Sequence, residues 1–237
     1  MNSPIIKKLE FEKVTCGYVP GRNLWEAVTI ALPLGETVWI RAKLGGGASS
    51  LLRMLAGLLP PISGKIIFNE TSFYEAPFDR LVSLKTKLGY GFEEGGLLSN
   101  LTLEGNLLLP LRYHGLLSPT ESAERVAFYL SQFGMTESKD LRPALASSGM
   151  RRSCLLARAL IMEPELLLLD DPTRGLSSEM IQRLVGLVEW QRREKNLKHV
   201  YFTSEDQDFA DRWSQLILEI RDKTLCVSPN EMGRACA

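Results

Sequence analysis

The stretch IRAKLGGGASSLLRMLAGLL, residues 40–59, constrains this chain more than any other part of it. An apolar run at 37–40 feeds a glycine cluster, Gly45, Gly46 and Gly47, and a strongly helical segment follows at once. Strand, glycine turn and helix in direct succession match G-x-x-x-x-G-K-[ST], a loop whose backbone N–H groups cradle phosphate at a helix N-terminus. Set on that pattern, Ala42 takes the first glycine, Gly47 the second and Ser49 the hydroxyl position, while Ala48 stands where the lysine belongs. The cradle is kept and its cation is gone.

The rest of the chain reads as alternating strands and helices. Residues 8–40 are β-rich with turns expected at CGYVPGRN and LPLGE, and SGKIIFNE (63–70) is a further strand. Leu103, Asn106, Leu107 and Leu111 have helical spacing. Residues 118–160 look mostly helical, opening on a Ser/Thr cap with an acidic first turn. PELLLLDDP (164–172) is a continuous apolar run closed by two aspartates, which suits a parallel strand buried on both faces. KHVYFTSED (198–206) is another strand with a polar end. This alternation predicts a doubly wound α/β sheet with its ligand site beyond the strand C-termini.

Bulk properties exclude several classes. Lys+Arg and Asp+Glu both number 28 in 237 residues, so no basic excess argues for a nucleic-acid partner. The opening MNSPIIKKLEFEKV has no apolar signal core, and no stretch reaches membrane-spanning length. Cys16, Cys154, Cys226 and Cys236 have neither disulfide nor zinc spacing. A cytosolic chain that still docks on a membrane protein is expected. Singly, each block has an ordinary reading: a core helix after a glycine turn, a core strand, and two histidines, His114 and His199, as plain surface residues.

The glycine loop, LARAL, LLLLDDP and ADR, in one order over about 170 residues, together resemble the nucleotide-binding subunit of ABC transporters. That resemblance implies a P-loop ATPase core sheet, an antiparallel β subdomain and a helical subdomain at about 93–160, all within a single domain spanning 1–237. It also implies two such subunits that sandwich ATP, each site pairing one phosphate loop with the other subunit's signature. The implied cofactor-binding set is Tyr18, Gly45, Gly46, Gly47, Ala48, Ser49 and Ser50, with Ser49 and Asp170 holding magnesium.

The departures fall on the polar groups. Asp171 stands for the glutamate that polarises water, Glu93 for the glutamine expected after GYGF, and Ser204 for the switch histidine. The signature, usually L-S-G-G-Q, reads ASSGM, with Ser147, Ser148, Gly149 and Met150, and Ser177 replaces the aspartate after GL. Each group of this kind contributes about 10²–10³ in rate, so hydrolysis at the chain's own loop should be negligible and ATP with magnesium weakly held. Neither is required for folding. Lys43, five residues before Ala48, is a weak substitute.

The sequence SSGMRRSCLLARAL, with its G-M pair, and FEEGGLLSNLTLEGNLLLPLR resemble the corresponding blocks of Mla/Mce-type lipid-transport ATPases. That implies ABC permease membrane subunits and a second nucleotide-binding subunit, identical or not, as partners. It also implies a peripheral place on the cytoplasmic face of the inner membrane. An active ATPase using Asp171 with partner residues, and a stand-alone regulator of the same fold, remain the alternatives.

Overall fold

The computed structural model describes residues 5–19 and 21–232. In chain order the strands are β1 (Leu9–Val19), β2 (Arg22–Ala31), β3 (Thr37–Ala42), β4 (Ser63–Phe68), β5 (Thr71–Ser72) and β6 (Leu88–Gly91). They continue with β7 (Leu166–Leu169), β8 (His199–Phe202), β9 (Leu216–Arg221) and β10 (Thr224–Pro229). The helices are α1 (Ala48–Leu55), α2 (Phe78–Lys85), α3 (Leu103–His114), α4 (Pro119–Gln132), α5 (Ser148–Leu160), α6 (Ser178–Glu194) and α7 (Gln207–Trp213).

Two sheets result. One has the order β10-β9-β3-β8-β7-β6 and is parallel from β9 to β6, with β10 antiparallel at its edge. The other is antiparallel with the order β2-β1-β4-β5. The LLLL run shows why the central strand is apolar throughout. Leu167 and Leu169 enter one buried cluster with Trp39, Val200 and Phe202, while Leu166 and Leu168 enter another with Val38, Ile40 and Tyr201. Alternate side chains reach opposite faces, and both faces are covered, by helices on one side and by α1 with the antiparallel sheet on the other.

Local chemistry sets the helix ends. Gly47 ends the phosphate-type loop at φ 99°, and a Cβ there would lie 2.6 Å from Trp25 Cζ3, so only glycine fits. At the other end of α1, Gly57 N–H bonds Met54 O and Leu58 N–H bonds Arg53 O, the paired bonds of a Schellman stop. The helical segment read to residue 59 therefore stops earlier: α1 ends at Leu55, and Leu58 is exposed. Ser118 and Glu121 form a capping box on α4. Asn106, fully buried on α3, accepts from Leu98 N at 2.8 Å and donates to Leu98 O and Thr102 O, fastening the preceding loop.

The turn expected within CGYVPGRN is present but tighter than that stretch: Val19 ends β1 opposite Arg22, which opens β2, and Cys16 already pairs with Trp25. Sequence reasoning missed α2, α6, α7, β6, β9 and β10, although α6 has a Ser177 cap and Leu184, Leu187 and Val188 at helical spacing. Cys236 lies outside the described residues.

His199, expected on the surface, is buried; His114 is half-buried. His199 Nδ1 accepts from Gly35 N at 2.8 Å, which leaves the proton on Nε2, 3.1 Å from Ile6 O. Glu165 completes this junction by accepting from Ile6 N at 2.7 Å. Burial pushes the His199 pKa below its ordinary value, helped by the charges of Lys198 and Arg192 and opposed by the bond to Ile6 O. A depressed pKa means the unfolded chain takes up the proton first as pH falls. The contribution to stability is thus complete above the unfolded value of about 6.5 and is lost below it. Urea midpoints should fall between about pH 7.5 and 5.5, and His199→Gln should flatten that fall. An unchanged pH slope in the variant would contradict this account.

Candidate functional site

The C-terminal ends of β3, β7 and β8 lie side by side, and the loop after β3 runs into α1 above them. A cleft of about 540 Å³ opens there, lined by Tyr18, the 42–50 loop, Glu93, Asp170, Asp171, Thr203, Ser204 and Glu205, among others. It lies at the edge where α/β sheets of this kind bind ligands. Gly46 N bonds back to Lys43 O, and Leu51 N makes the first helical bond of α1, to Gly47 O. The N–H groups of Gly47, Ala48, Ser49 and Ser50 have no backbone acceptor among the described residues, which is the arrangement of an anion cradle.

Ser49 Oγ donates to Asp170 Oδ1 at 2.8 Å, and Thr203 Oγ1 donates to the same oxygen at 2.9 Å. Tyr90 Oη donates to Asp170 Oδ2 at 3.4 Å. A hydroxyl and a carboxylate oxygen this close suit a small hard cation that takes oxygen ligands. The fit to a triphosphate is poorer. Ala48 supplies no charge at the helix start, and Asp170, Asp171, Glu93 and Glu205 all line the cleft. The cations there are Arg41, paired with Glu219 at 3.2 Å, and Lys43.

Asp171 is buried and its backbone is left-handed, at φ 46°. Burial pushes its carboxyl pKa up, with the Glu205 and Asp170 charges adding to the rise while the Glu205 N–H and the Arg152 charge oppose it. Thr203 Oγ1 accepts from Asp171 N at 2.9 Å and so anchors both aspartates from β8. Ser204 turns its hydroxyl to its own loop, donating to Asp206 O and accepting from Asp206 N.

Glu93 lines the same cleft, and its carboxylate is held there by Arg174, which also lies 3.7 Å from Glu94. Sequence reasoning missed Arg174, and it missed Arg152 as well. From α5, Arg152 donates to the carbonyl oxygens of Phe92, Glu93, Asp170 and Asp171, and it is only 5% exposed. Its only signal in the sequence was the Arg151–Arg152 pair after Met150.

The signature residues stand elsewhere. Ser147 caps α5, accepting from Met150 N at 3.2 Å, and Ser148 and Gly149 open that helix. None of Ser147, Ser148, Gly149 or Met150 lines the 540 Å³ cleft; Ser148 instead lines a second cleft of about 480 Å³ with Arg151, Arg152 and Arg174. Within one chain the loop set and the signature set are therefore separate surfaces.

The family description for ABC transporter matches residues 25–174, more than half of the chain. The chain belongs to the ABC transporter family. Among curated relatives it is 33% identical over 173 residues to the probable ribonucleotide transport ATP-binding protein mkl of Mycobacterium tuberculosis, a match covering 73% of this chain and 48% of that protein. It is 32% identical over 206 residues to the methionine import ATP-binding protein MetN 2 of Paraburkholderia xenovorans, covering 86% of this chain and 51% of the relative. This ABC family chain thus spans about half the length of the curated relatives it matches. A dimeric ATP-binding cassette in a post-hydrolysis state, bound to ADP and Pi, superposes with a TM-score of 0.83 at 24% identity, over 94% of this chain and 99% of that one. That likeness is one of fold. Among the described residues no helix is long and apolar enough to cross a membrane.

Proposed function

We propose that this chain is a catalytically degenerate nucleotide-binding subunit of an ABC transporter, acting as a single domain over 1–237 with a helical subdomain at about 93–160. It would sit on the cytoplasmic face of the membrane, docked on permease subunits and paired with a second nucleotide-binding subunit. The observation that carries the reading is a preserved Ser49–Asp170 pair at 2.8 Å beside a helix start where Ala48 leaves no cation. Ser49 and Asp170 would hold magnesium, and the four free N–H groups would meet phosphate. Magnesium, when bound, would supply charge neutralisation to phosphate oxygens. Asp171 keeps a carboxylate but falls a methylene short of the usual glutamate, and Ser204 offers neither base nor charge for hydrolysis.

The G-M signature with its following arginines supports lipid as the transported class, as in Mla/Mce-type systems. The named curated relatives are described instead as ribonucleotide and methionine transport proteins, so the substrate calls for its own measurement. Mass spectrometry of the purified permease complex should find co-purifying phospholipid, and a complex free of lipid would remove that assignment.

The signature supports a role in trans. Ser147 keeps its hydroxyl at the start of α5, whose N-terminal dipole favours an anion. With an intact partner, Ser147→Glu should abolish ATP hydrolysis by the assembled complex while leaving assembly unchanged. Undiminished hydrolysis would restrict the chain to docking.

A further inference from the structure

The two hydroxyls of the phosphate cradle are both already engaged. Ser49 Oγ bonds Asp170, and Ser50 Oγ stands 2.7 Å from Tyr18 Oη. Ser50 is only 4% exposed, whereas Tyr18 is 59% exposed at the end of β1. The β1–β2 register shifts on either side of Gly17, so the strand end that carries Tyr18 is irregularly paired. A side chain so exposed, on a loosely registered strand end, changes rotamer without disturbing the core. Its phenol nevertheless lies against the third residue of α1, beside the N–H groups of Ser49 and Ser50 that have no backbone acceptor.

We infer that Tyr18 is a gate on the cradle: its phenol holds Ser50 and must swing away before a di- or triphosphate seats on the helix start. The inference rests on the reading above, that the loop retains weak phosphate affinity. Ala48 makes the gate effective. A lysine there would favour the incoming anion by charge and outcompete one neutral hydrogen bond, whereas the methyl group adds no charge at the helix start. The chemistry that opens the gate is the phosphate group itself, which offers Ser50 and the free amides stronger, charge-assisted bonds.

The test compares the protein with its Tyr18→Phe variant, using magnesium pyrophosphate and Mg-ATP as probes in calorimetry. Pyrophosphate carries no base, so ring stacking plays no part in its binding. Phenylalanine keeps the ring and deletes the latch, so affinity for both probes should rise about three- to tenfold, the range of one neutral hydrogen bond. In a Ser50→Ala background, where the latch is already absent, the same change should have no further effect. Unchanged pyrophosphate affinity in Tyr18→Phe overturns the gate, as does a change confined to Mg-ATP, which would tie the phenol to the nucleoside instead of the cradle. Failure of either protein to bind pyrophosphate up to about 10 mM overturns it too, since no cradle would then exist to guard. Micromolar ATP affinity or hydrolysis by the unmodified protein would sink the degenerate-subunit reading instead, whatever the ratio between the two proteins.

Discussion

Calorimetry of the protein with Mg-ATP is expected to give no binding tighter than about 100 μM, equivalent to roughly −5.5 kcal/mol. The cradle's amides and the Ser49–Asp170 pair are present, so the geometry for phosphate and metal survives. The charge balance does not. Four carboxylates line the cleft, of which Glu93 is paired with Arg174, while Arg41 is paired away with Glu219. Bringing a polyanion there without the lysine leaves its charge to backbone dipoles and to magnesium. Ala48→Lys should tighten Mg-ATP binding at least about tenfold, the effect of roughly 1.4 kcal/mol. Hydrolysis should stay undetectable in that variant, because Asp171 and Ser204 are untouched and each missing group removes about 10²–10³ in rate. Micromolar affinity in the unmodified protein would instead promote Lys43, exposed in the same loop, to the role of the missing cation.

The second large effect is on stability. Arg152→Met should destabilise the fold by about 3–5 kcal/mol, the usual result of removing one partner from a buried charged network. The guanidinium bridges two carbonyls of the segment after β6, Phe92 and Glu93, and two at the end of β7, Asp170 and Asp171. Burial lowers its pKa, a sign that the fold gives up solvation to keep this charge, while the Asp171 and Asp170 charges hold it back. Without the fork, four carbonyls lose a donor at once, and of these Asp171 O keeps the Arg174 N–H at 3.2 Å. Thermal unfolding should move down by about 6–20 °C for a domain of this size. Arg152→Lys should recover little, because a point charge cannot serve two pairs of carbonyls as a planar fork does. A shift under about 3 °C for Arg152→Met would mean that the clamp is filled by water or by neighbouring donors.

Much of the fold was legible because its strongest signals are local. The strand–glycine–helix succession at 37–55, the apolar run before Asp170 and the capped helix opening at Ser118 each follow from spacing and capping chemistry within one segment. The misread places are those where a distant partner decides. His199 went inside because Gly35 and Ile6, both far away in sequence, meet its two nitrogens, and Arg174 was missed because its partner Glu93 lies 81 positions away. The edge strands β10 and β6 are short or exposed and are held in the sheet by pairing with β9 and β7.

The sequence by itself determined the ABC frame and which residues stand where the loop lysine and the switch histidine belong. A missing lysine or histidine is a fact of composition at a position, and no folding restores a side chain that is absent. Only the tertiary structure decided what the remaining polar groups do. Glu93 turns to Arg174, Arg152 gathers carbonyls from two segments, and Tyr18 reaches Ser50 across 32 positions of chain. Each of these depends on distances between groups far apart in sequence. Hydrogen bonds and ion pairs act over a few ångströms, so their partners exist only once packing has brought the segments together.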